Sequence, residues 1–387
     1  MKALENIFNS AKKFVGVGLI AGGLALSALT GCPLPGPDPA PTPVQTYPGP
    51  KTTIAFSEYN PNESFWKDMY NQNTGIDLWI LNSDGSGIKK LSQGLEQGGR
   101  IKFSPTGKDI AFKGGQNFRN RIIDLEGNLL DEFNDWRDRS DEDFIWTPDG
   151  NSILYGRYTL GIYKYDLLSK TIQQILRTGG FTYDHNPVLS PDLKKIAFTH
   201  HEYESHYYIK IMNADGTNVQ QIASGTGTTY DEQLNLNWLD NENVIWKNYG
   251  KERLYYCNVN TKTVLEINPE FNFIDMELSP DKKTLAIWGW EKGVGLIDVS
   301  ELPSGKVTIK KTNKSDSYTT LFDWSPDGNY FVSGRNNWTS REGKTVVIGE
   351  LKIYDREGNV YKLLDDSNLP ERGYFEIENV SWSPLLQ

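Results

Sequence analysis

Short apolar stretches alternate with polar turns along most of the chain, and the turns repeat one four-residue phrase. Its fuller copies read Ser or Thr, Pro, Asp or Thr, and then usually Gly, and a hydrophobic residue follows six positions after the phrase begins. Proline presets the backbone for the second position of a turn, Asp suits the third, and Gly supplies the positive φ that closes a hairpin. Each copy therefore predicts a turn between two β-strands. The five fuller copies begin at Ser104, Thr147, Ser190, Ser279 and Ser325.

Two weaker copies complete the series, a degenerate one at Leu239–Glu242 and a truncated Ser383-Pro384. The first positions of the seven copies are 43, 43, 49, 40, 46 and 58 residues apart, which is typical of the four-stranded blades of a β-propeller. The last copy has no strand after it, whereas the apolar stretch Thr52–Ser57 has no phrase before it. We therefore predict an all-β fold: a seven-bladed β-propeller of four-stranded blades, closed by N- and C-terminal strands that share one blade. That shared blade combines Val380–Trp382 with Thr52–Ser57, Asp77–Leu81 and Ile88–Leu91.

The residues around the phrase predict how blades pack and turn. An aromatic or aliphatic residue precedes every copy, and we expect the tryptophans among them to fill the core between neighbouring blades: Trp146, Trp238, Trp324 and Trp382. Leu193 and Lys282 stand where other copies have Gly, and a non-glycine residue at positive φ costs on the order of 1 kcal/mol. A change of turn type at these two sites is an alternative that the sequence leaves open.

The first fifty residues follow a different pattern. Three lysines precede an apolar run over residues 14–28, which is the order of an export signal, and about 15 residues are few for a membrane span, which needs about 20. The run ends in Leu-Thr-Gly-Cys at Cys32, which resembles the lipobox of bacterial lipoproteins. This resemblance implies a signal peptide over 1–31 and acylation of Cys32, palmitate included. An ordinary signal peptide or a retained anchor helix is the alternative.

A proline-rich segment follows Cys32. Residues 33–50 contain eight prolines in 18 positions, so neither a helix nor a sheet ladder forms there and a polyproline II spacer is expected. At about 3.1 Å per residue it reaches roughly 55 Å. The predicted organisation is a signal peptide over 1–31, a lipidated cysteine and linker over 32–50, and a propeller over 51–387.

The repeated phrase itself carries a family resemblance. A Trp before Ser-Pro-Asp-Gly, an Ile-Ala-Phe strand after it and a later Asp-Gly turn resemble the TolB-like, PD40 (WD40-like) β-propeller repeat. The resemblance covers residues 51–387 and implies the fold, while a fold alone says little about activity.

Composition excludes several function classes. Against 40 Lys and Arg stand 50 Asp and Glu, for a formal charge of −10, so no basic surface favours nucleic acid as a partner. Two cysteines, Cys32 and Cys257, exclude a disulfide framework and a four-thiolate zinc site. The sequence contains no Gly-x-Ser-x-Gly elbow that would mark an α/β-hydrolase nucleophile. Cys257 is interpreted as a half-buried strand thiol.

Connections in a four-stranded meander alternate between the two ends of a blade, so the phrase turns share one face and the longer connections share the other. Binding residues are more frequent on such variable loops. The aromatic residues predicted there either stack on a sugar or seat a peptide, or they pack the loops together. The candidate ligand-binding residues are Trp66, Trp288, Trp290 and Trp338.

All four histidines lie in one blade: His185, His200, His201 and His206. His185 is predicted just before the first strand of that blade and the other three just after the second, on the variable face. Imidazole ligates zinc, manganese or iron, so a divalent metal is one interpretation and a hydrated polar cluster is the other. Some seven-bladed oligogalacturonate lyases hold a metal with histidines drawn from several blades.

These patterns favour a non-enzymatic, lipid-anchored binding or scaffolding module that engages an envelope protein or a glycan. Its expected location is the bacterial cell envelope, attached to a membrane through Cys32, on the periplasmic side or at the cell surface. The alternative is a metal-assisted, lyase-like carbohydrate-active enzyme built on the histidine cluster.

Overall fold

A computed structural model describes most of the predicted propeller. The described residues are 46–59, 76–93, 100–114, 119–133, 144–157, 159–180, 182–202, 206–226, 234–248, 252–289, 293–311, 319–341, 344–364 and 376–384. Their strands form seven four-stranded antiparallel sheets, arranged as the blades of a ring. The predicted all-β, seven-bladed propeller is therefore confirmed. The signal peptide, Cys32 and most of the spacer lie outside the described residues.

The blades, named A to G, have these strands. Blade A contains β1 (Thr53–Tyr59), β2 (Ile76–Asn82), β3 (Lys89–Gln93) and β28 (Glu376–Trp382). Blade B contains β4 (Ile101–Phe103), β5 (Asp109–Gly114), β6 (Arg119–Asp124) and β7 (Leu129–Phe133). Blade C contains β8 (Phe144–Trp146), β9 (Ser152–Arg157), β10 (Gly161–Asp166) and β11 (Thr171–Arg177). Blade D contains β12 (Tyr183–Leu189), β13 (Lys195–Glu202), β14 (His206–Asn213) and β15 (Gln220–Thr226).

The remaining three blades follow in chain order. Blade E contains β16 (Asn237–Trp238), β17 (Asn243–Asn248), β18 (Arg253–Asn258) and β19 (Thr263–Ile267). Blade F contains β20 (Asp275–Leu278), β21 (Thr284–Gly289), β22 (Gly293–Asp298) and β23 (Ile309–Lys311), with a 3-10 helix at Val299–Ser304 after β22. Blade G contains β24 (Thr319–Trp324), β25 (Tyr330–Arg341), β26 (Lys344–Asp355) and β27 (Val360–Leu364). No helix in these described ranges is long and apolar enough to cross a membrane.

The ring closes in blade A as predicted. Strand β28 pairs antiparallel with β1, with Ile54 opposite Trp382. The indole N–H of Trp382 donates to the Thr52 hydroxyl at 2.6 Å, and the Ser383 N–H donates to the Thr53 carbonyl at 2.8 Å. The two chain ends are thus joined by a full strand pairing.

The phrase forms the same turn in every fuller copy. The N–H of its fourth residue donates to the carbonyl of its first at 2.8 Å, for Gly107, Gly150, Leu193, Lys282 and Gly328 alike. Leu193 and Lys282 have φ of 61° and 60°, close to the 67°, 68° and 70° of Gly328, Gly107 and Gly150. The alternative of a changed turn type is wrong, because both residues keep the left-handed backbone conformation of the turn.

The first residue of the phrase also has a structural role. The buried hydroxyl of Ser279 donates to Asp281 Oδ1 at 2.6 Å and accepts the Thr284 N–H at 3.0 Å. Ser190 and Ser325 make the corresponding pairs of hydrogen bonds. The hydroxyl of the phrase therefore connects the carboxylate of its third residue to the first backbone N–H of the next strand.

The tryptophans that precede the phrase pack between blades, which confirms that prediction. Trp146, Trp238 and Trp324 are at most 8% exposed. Each indole N–H donates to a backbone carbonyl in the innermost strand of the preceding blade. Trp146 donates to Lys102 at 3.3 Å, Trp238 to Val188 at 3.0 Å and Trp324 to Glu277 at 3.3 Å. The side chain fills the inter-blade core while its one polar atom is satisfied.

Candidate functional site

The predicted aromatic surface is only partly within the described residues. Trp66 and Trp290 lie outside them. Trp288 lies in β21 and is 3% exposed, with its ring stacked on Phe322 at 5.0 Å, so its predicted place on a variable loop is wrong. Trp338 also lies in a strand and not a loop, because β25 and β26 extend as a long hairpin in which it pairs with Val347. A ligand-binding role for these residues stays a prediction.

The histidines lie in strands, so their predicted position in loops is also wrong. His185 is in β12, His200 and His201 are in β13, and His206 begins β14. Strands β12 and β13 extend further than the spacing of the phrase suggested. A register shift in their pairing between His185 and Val188 accommodates Asn186, whose φ is 51°.

Strand alternation separates the histidines onto two faces of blade D. On one face the rings of His185 and His201 lie 4.7 Å apart, and burial, followed by the charges of His201 and His200, lowers the pKa of His185 to about 3. This imidazole is neutral at physiological pH.

On the opposite face, His200 pairs with a buried carboxylate. Its Nδ1 lies 2.6 Å from Asp184 Oδ1, and Asp184 also accepts a hydrogen bond from the Thr178 hydroxyl of blade C. His200 Nε2 is 3.8 Å from Glu202 Oε1, whose carboxylate accepts the Tyr208 hydroxyl. Asp184 therefore orients the His200 ring and links blades C and D.

The described histidines are divided between the two faces of blade D. Within the described part of the chain, no group of three or more His, Cys, Asp or Glu side chains is placed to hold an ion. The two faces of a single sheet cannot direct His185 and His200 to one point. The predicted metal role of these four residues stays a prediction.

Cys257 lies in β18 and is fully buried, more so than the half-buried position predicted. Burial raises the pKa of its thiol to about 11. The thiolate, the nucleophilic form, is therefore scarce at neutral pH.

A polar cavity lies where the innermost strands of four blades meet. Strands β28, β4, β20 and β24, from blades A, B, F and G, enclose about 460 Å³. Its wall carries charges of both signs, together with Trp288, Phe322 and Trp324 and the prolines of four turn phrases. The charged residues in the wall are Arg100, Lys102, Asp275, Glu277 and Asp323.

Two of the carboxylates in this cavity are engaged by the fold. Asp323 accepts the backbone N–H groups of Trp324 at 2.8 Å and of Trp382 at 2.6 Å, so it ties blade G to blade A. Burial outweighs these hydrogen bonds and raises the pKa of Asp323 to about 6. Asp275 accepts the Met276 N–H at 2.9 Å and the side-chain amide of Asn235.

Glu277 and Lys102 are not engaged in this way. Neither side-chain head has a hydrogen bond or an ion pair with any residue that the structure describes. Burial and the nearby charge of Asp323 raise the pKa of Glu277 to about 7, while Lys102 and Arg100 act in the opposite direction. The cavity wall therefore carries a carboxylate and an ammonium group with no ion pair between them in the described structure.

The sequence pattern did contain a signal for this cavity. Four polar residues each lie two positions before a copy of the phrase: Lys102, Glu277, Asp323 and Ser381. The residue between each of them and the phrase is buried, so strand alternation places these four on the opposite face of their strands. The equivalent residues of blades C and D are the apolar Ile145 and Val188. Charge at this position is thus confined to one sector of the ring.

The protein is a seven-bladed β-propeller with a cavity at its centre that charged residues line. No family model and no curated protein matches the chain, but solved propeller structures do. TolB from Acinetobacter baumannii is 19% identical, over 86% of this chain and 67% of that one, with a TM-score of 0.47. An oligogalacturonate lyase in complex with manganese is 11% identical, over 82% and 86%, with a TM-score of 0.52.

A third similar structure is a functionally unknown protein from Desulfotomaculum acetoxidans. It is 12% identical and covers 83% of this chain and 98% of its own, with a TM-score of 0.53. At these identities the similarity extends to the fold and no further.

Proposed function

We propose that the protein is a lipid-anchored binding module of the bacterial cell envelope. The observation that carries the proposal is the polar cavity, because its wall comes from four different blades of a closed ring. Side chains held by packed strands form a preformed site, and concave sites with a few convergent polar groups are where proteins bind ligands. The lipobox at Cys32 and the proline-rich spacer support attachment to a membrane.

The proposed macromolecular partner is an envelope protein or a glycan, met on the periplasmic side or at the cell surface. The test is photo-crosslinking in cells with a photoreactive residue in place of Pro384, which lies in the cavity wall. The matched control replaces Leu168, which is 92% exposed at the outer edge of blade C. The proposal expects a discrete adduct from position 384 that is absent from position 168. The same adducts from both positions, or none from 384, would contradict it.

Membrane attachment has its own test. In cells fed a palmitate analogue, Cys32→Ala should remove the label and move the protein out of the membrane fraction. The second cysteine provides the control, since Cys257→Ala should keep both the label and the membrane location. A Cys32→Ala protein that stays labelled and membrane-bound would rule out lipidation at this residue.

The lyase-like alternative lacks comparable support. The His185–His201 pair and the Asp184–His200 pair face away from each other, and neither forms a described metal site. Binding of stoichiometric manganese or zinc, lost in a His185→Ala variant, would be needed to revive it.

A further inference from the structure

The cavity between blades A, B, F and G contains one unengaged group of each charge. Asp275 and Asp323 already accept hydrogen bonds from neighbouring residues, and Arg100 has a further interaction of its own. Glu277 and Lys102 remain, one acidic and one basic. Taking a charged group out of bulk water is unfavourable unless a partner replaces the water, so the burial that raises the pKa of Glu277 is a cost to stability.

The aromatic residues of the wall argue against a sugar as the occupant. A sugar ring stacks on an open aromatic face, whereas Trp288 and Phe322 stack on each other at 5.0 Å. The ring of Trp324 lies at 81° to that of Phe322, and these three side chains are at most 7% exposed. Phe103 and Trp382, which also line the cavity, are likewise at most 7% exposed, so the wall offers no open aromatic face among these residues.

We propose that this cavity binds a small zwitterion, a free amino acid or a short peptide, with its ammonium group at Glu277 and its carboxylate at Lys102. The inference rests on the proposed binding function and names the ligand class of the same cavity. A volume of about 460 Å³ falls within the usual range of small-molecule sites, about 300–1,000 Å³. Each end of the ligand would form a charge-assisted hydrogen bond with a group that lacks one in the described structure.

The test is calorimetric titration of the full chain in detergent micelles with L-alanine and Gly-Gly. Two blocked analogues separate the charges: N-acetyl-L-alanine lacks the ammonium group and L-alaninamide lacks the carboxylate. Each analogue should bind at least tenfold more weakly than L-alanine, the effect of about one charge-assisted hydrogen bond. This comparison uses only the native chain, so it does not depend on how any variant folds.

Variants then assign the two ends of the ligand. Glu277→Gln and Lys102→Met should each weaken binding of the better zwitterion at least tenfold, while the exposed controls Glu242→Gln and Lys194→Met should bind like the native chain. Equal affinity for L-alanine and both analogues, unchanged affinity in Glu277→Gln, or no binding of either zwitterion would overturn the inference. A partner crosslinked from position 384 would still support the proposed function in that case.

Discussion

Two turns of the propeller hold a bulky residue in a conformation that glycine occupies elsewhere. Leu193 has φ of 61°, close to the 68° of Gly107 and the 70° of Gly150 in equivalent turns. Its side chain is 45% exposed, and it belongs to none of the described hydrophobic clusters. We predict that Leu193→Gly is more stable than Leu193→Ala.

The size of the effect follows from two opposing contributions. The left-handed conformation costs a non-glycine residue roughly 1–2 kcal/mol, which Gly avoids. Glycine loses more backbone entropy on folding, which costs about 0.5–1 kcal/mol relative to Ala. The difference leaves Gly ahead of Ala by about 0.5–1 kcal/mol. Comparison with Ala removes most of the contribution of the leucine side chain, since both variants lack it.

Urea unfolding followed by tryptophan fluorescence measures the two free energies of unfolding. Lys194, the next residue, serves as control because it is exposed and has no positive φ. There the order should reverse, with Lys194→Gly less stable than Lys194→Ala by about 0.5–1 kcal/mol. If Leu193→Gly proves less stable than Leu193→Ala, the account of strain in this turn is refuted.

Three further predictions concern the cavity and the inter-blade contacts. Below about pH 4.5 the Glu277→Gln variant and the native chain should differ in stability by a constant amount, because Glu277 is protonated in both the folded and the unfolded state. Between pH 4.5 and about 7 the variant should gain up to about 3 kcal/mol over the native chain, because only the native chain must then ionise a buried carboxylate; parallel pH profiles would contradict this. Trp324→Phe should lower the free energy of unfolding by about 1–2 kcal/mol through loss of its hydrogen bond and contacts, and an unchanged urea midpoint would exclude that contribution. Gly216→Ala should lower the free energy of unfolding by about 2 kcal/mol or more, because the new Cβ would overlap the Ile175 carbonyl. The control Gly180→Ala has open space around the new Cβ and should cost only about 1 kcal/mol. Equal melting temperatures for the two variants would count against the overlap.

The propeller could be predicted because its information is local. The phrase that begins at Ser279 combines a turn-forming proline, a capping carboxylate and a hydroxyl that bonds to the next strand within a few residues. Repetition of that unit specifies the number of blades. The phrase at Ser383 has no strand after it, and the strand that contains Ile54 has no phrase before it. Placing the two in one blade predicts the pairing of Ile54 with Trp382.

Strand ends were harder to predict because they depend on neighbouring strands. Two histidines expected in a loop lie in β13 because its pairing with β14 continues to Glu202 opposite His206. Trp338 likewise lies in β25 because that strand pairs with β26 as far as Arg341. Hydrophobic alternation fades in these extensions, so the pattern that locates the centre of a strand does not mark its end.

The cavity depends on closure of the whole ring, and for that reason no single segment of sequence reveals it. Glu277 and Lys102 are far apart in the chain, and they line one cavity only because the ring closes through blades G and A, which lie between blades F and B. What the repeat does provide is a comparison at each position: two blades carry the apolar Ile145 and Val188 there, whereas blade F carries the charged Glu277. A charge that burial disfavours, at a position where two other blades carry apolar residues, lowers stability without improving the fold. A Glu277→Gln variant that is more stable at neutral pH yet no longer binds a zwitterion would show that the departure serves binding and not folding.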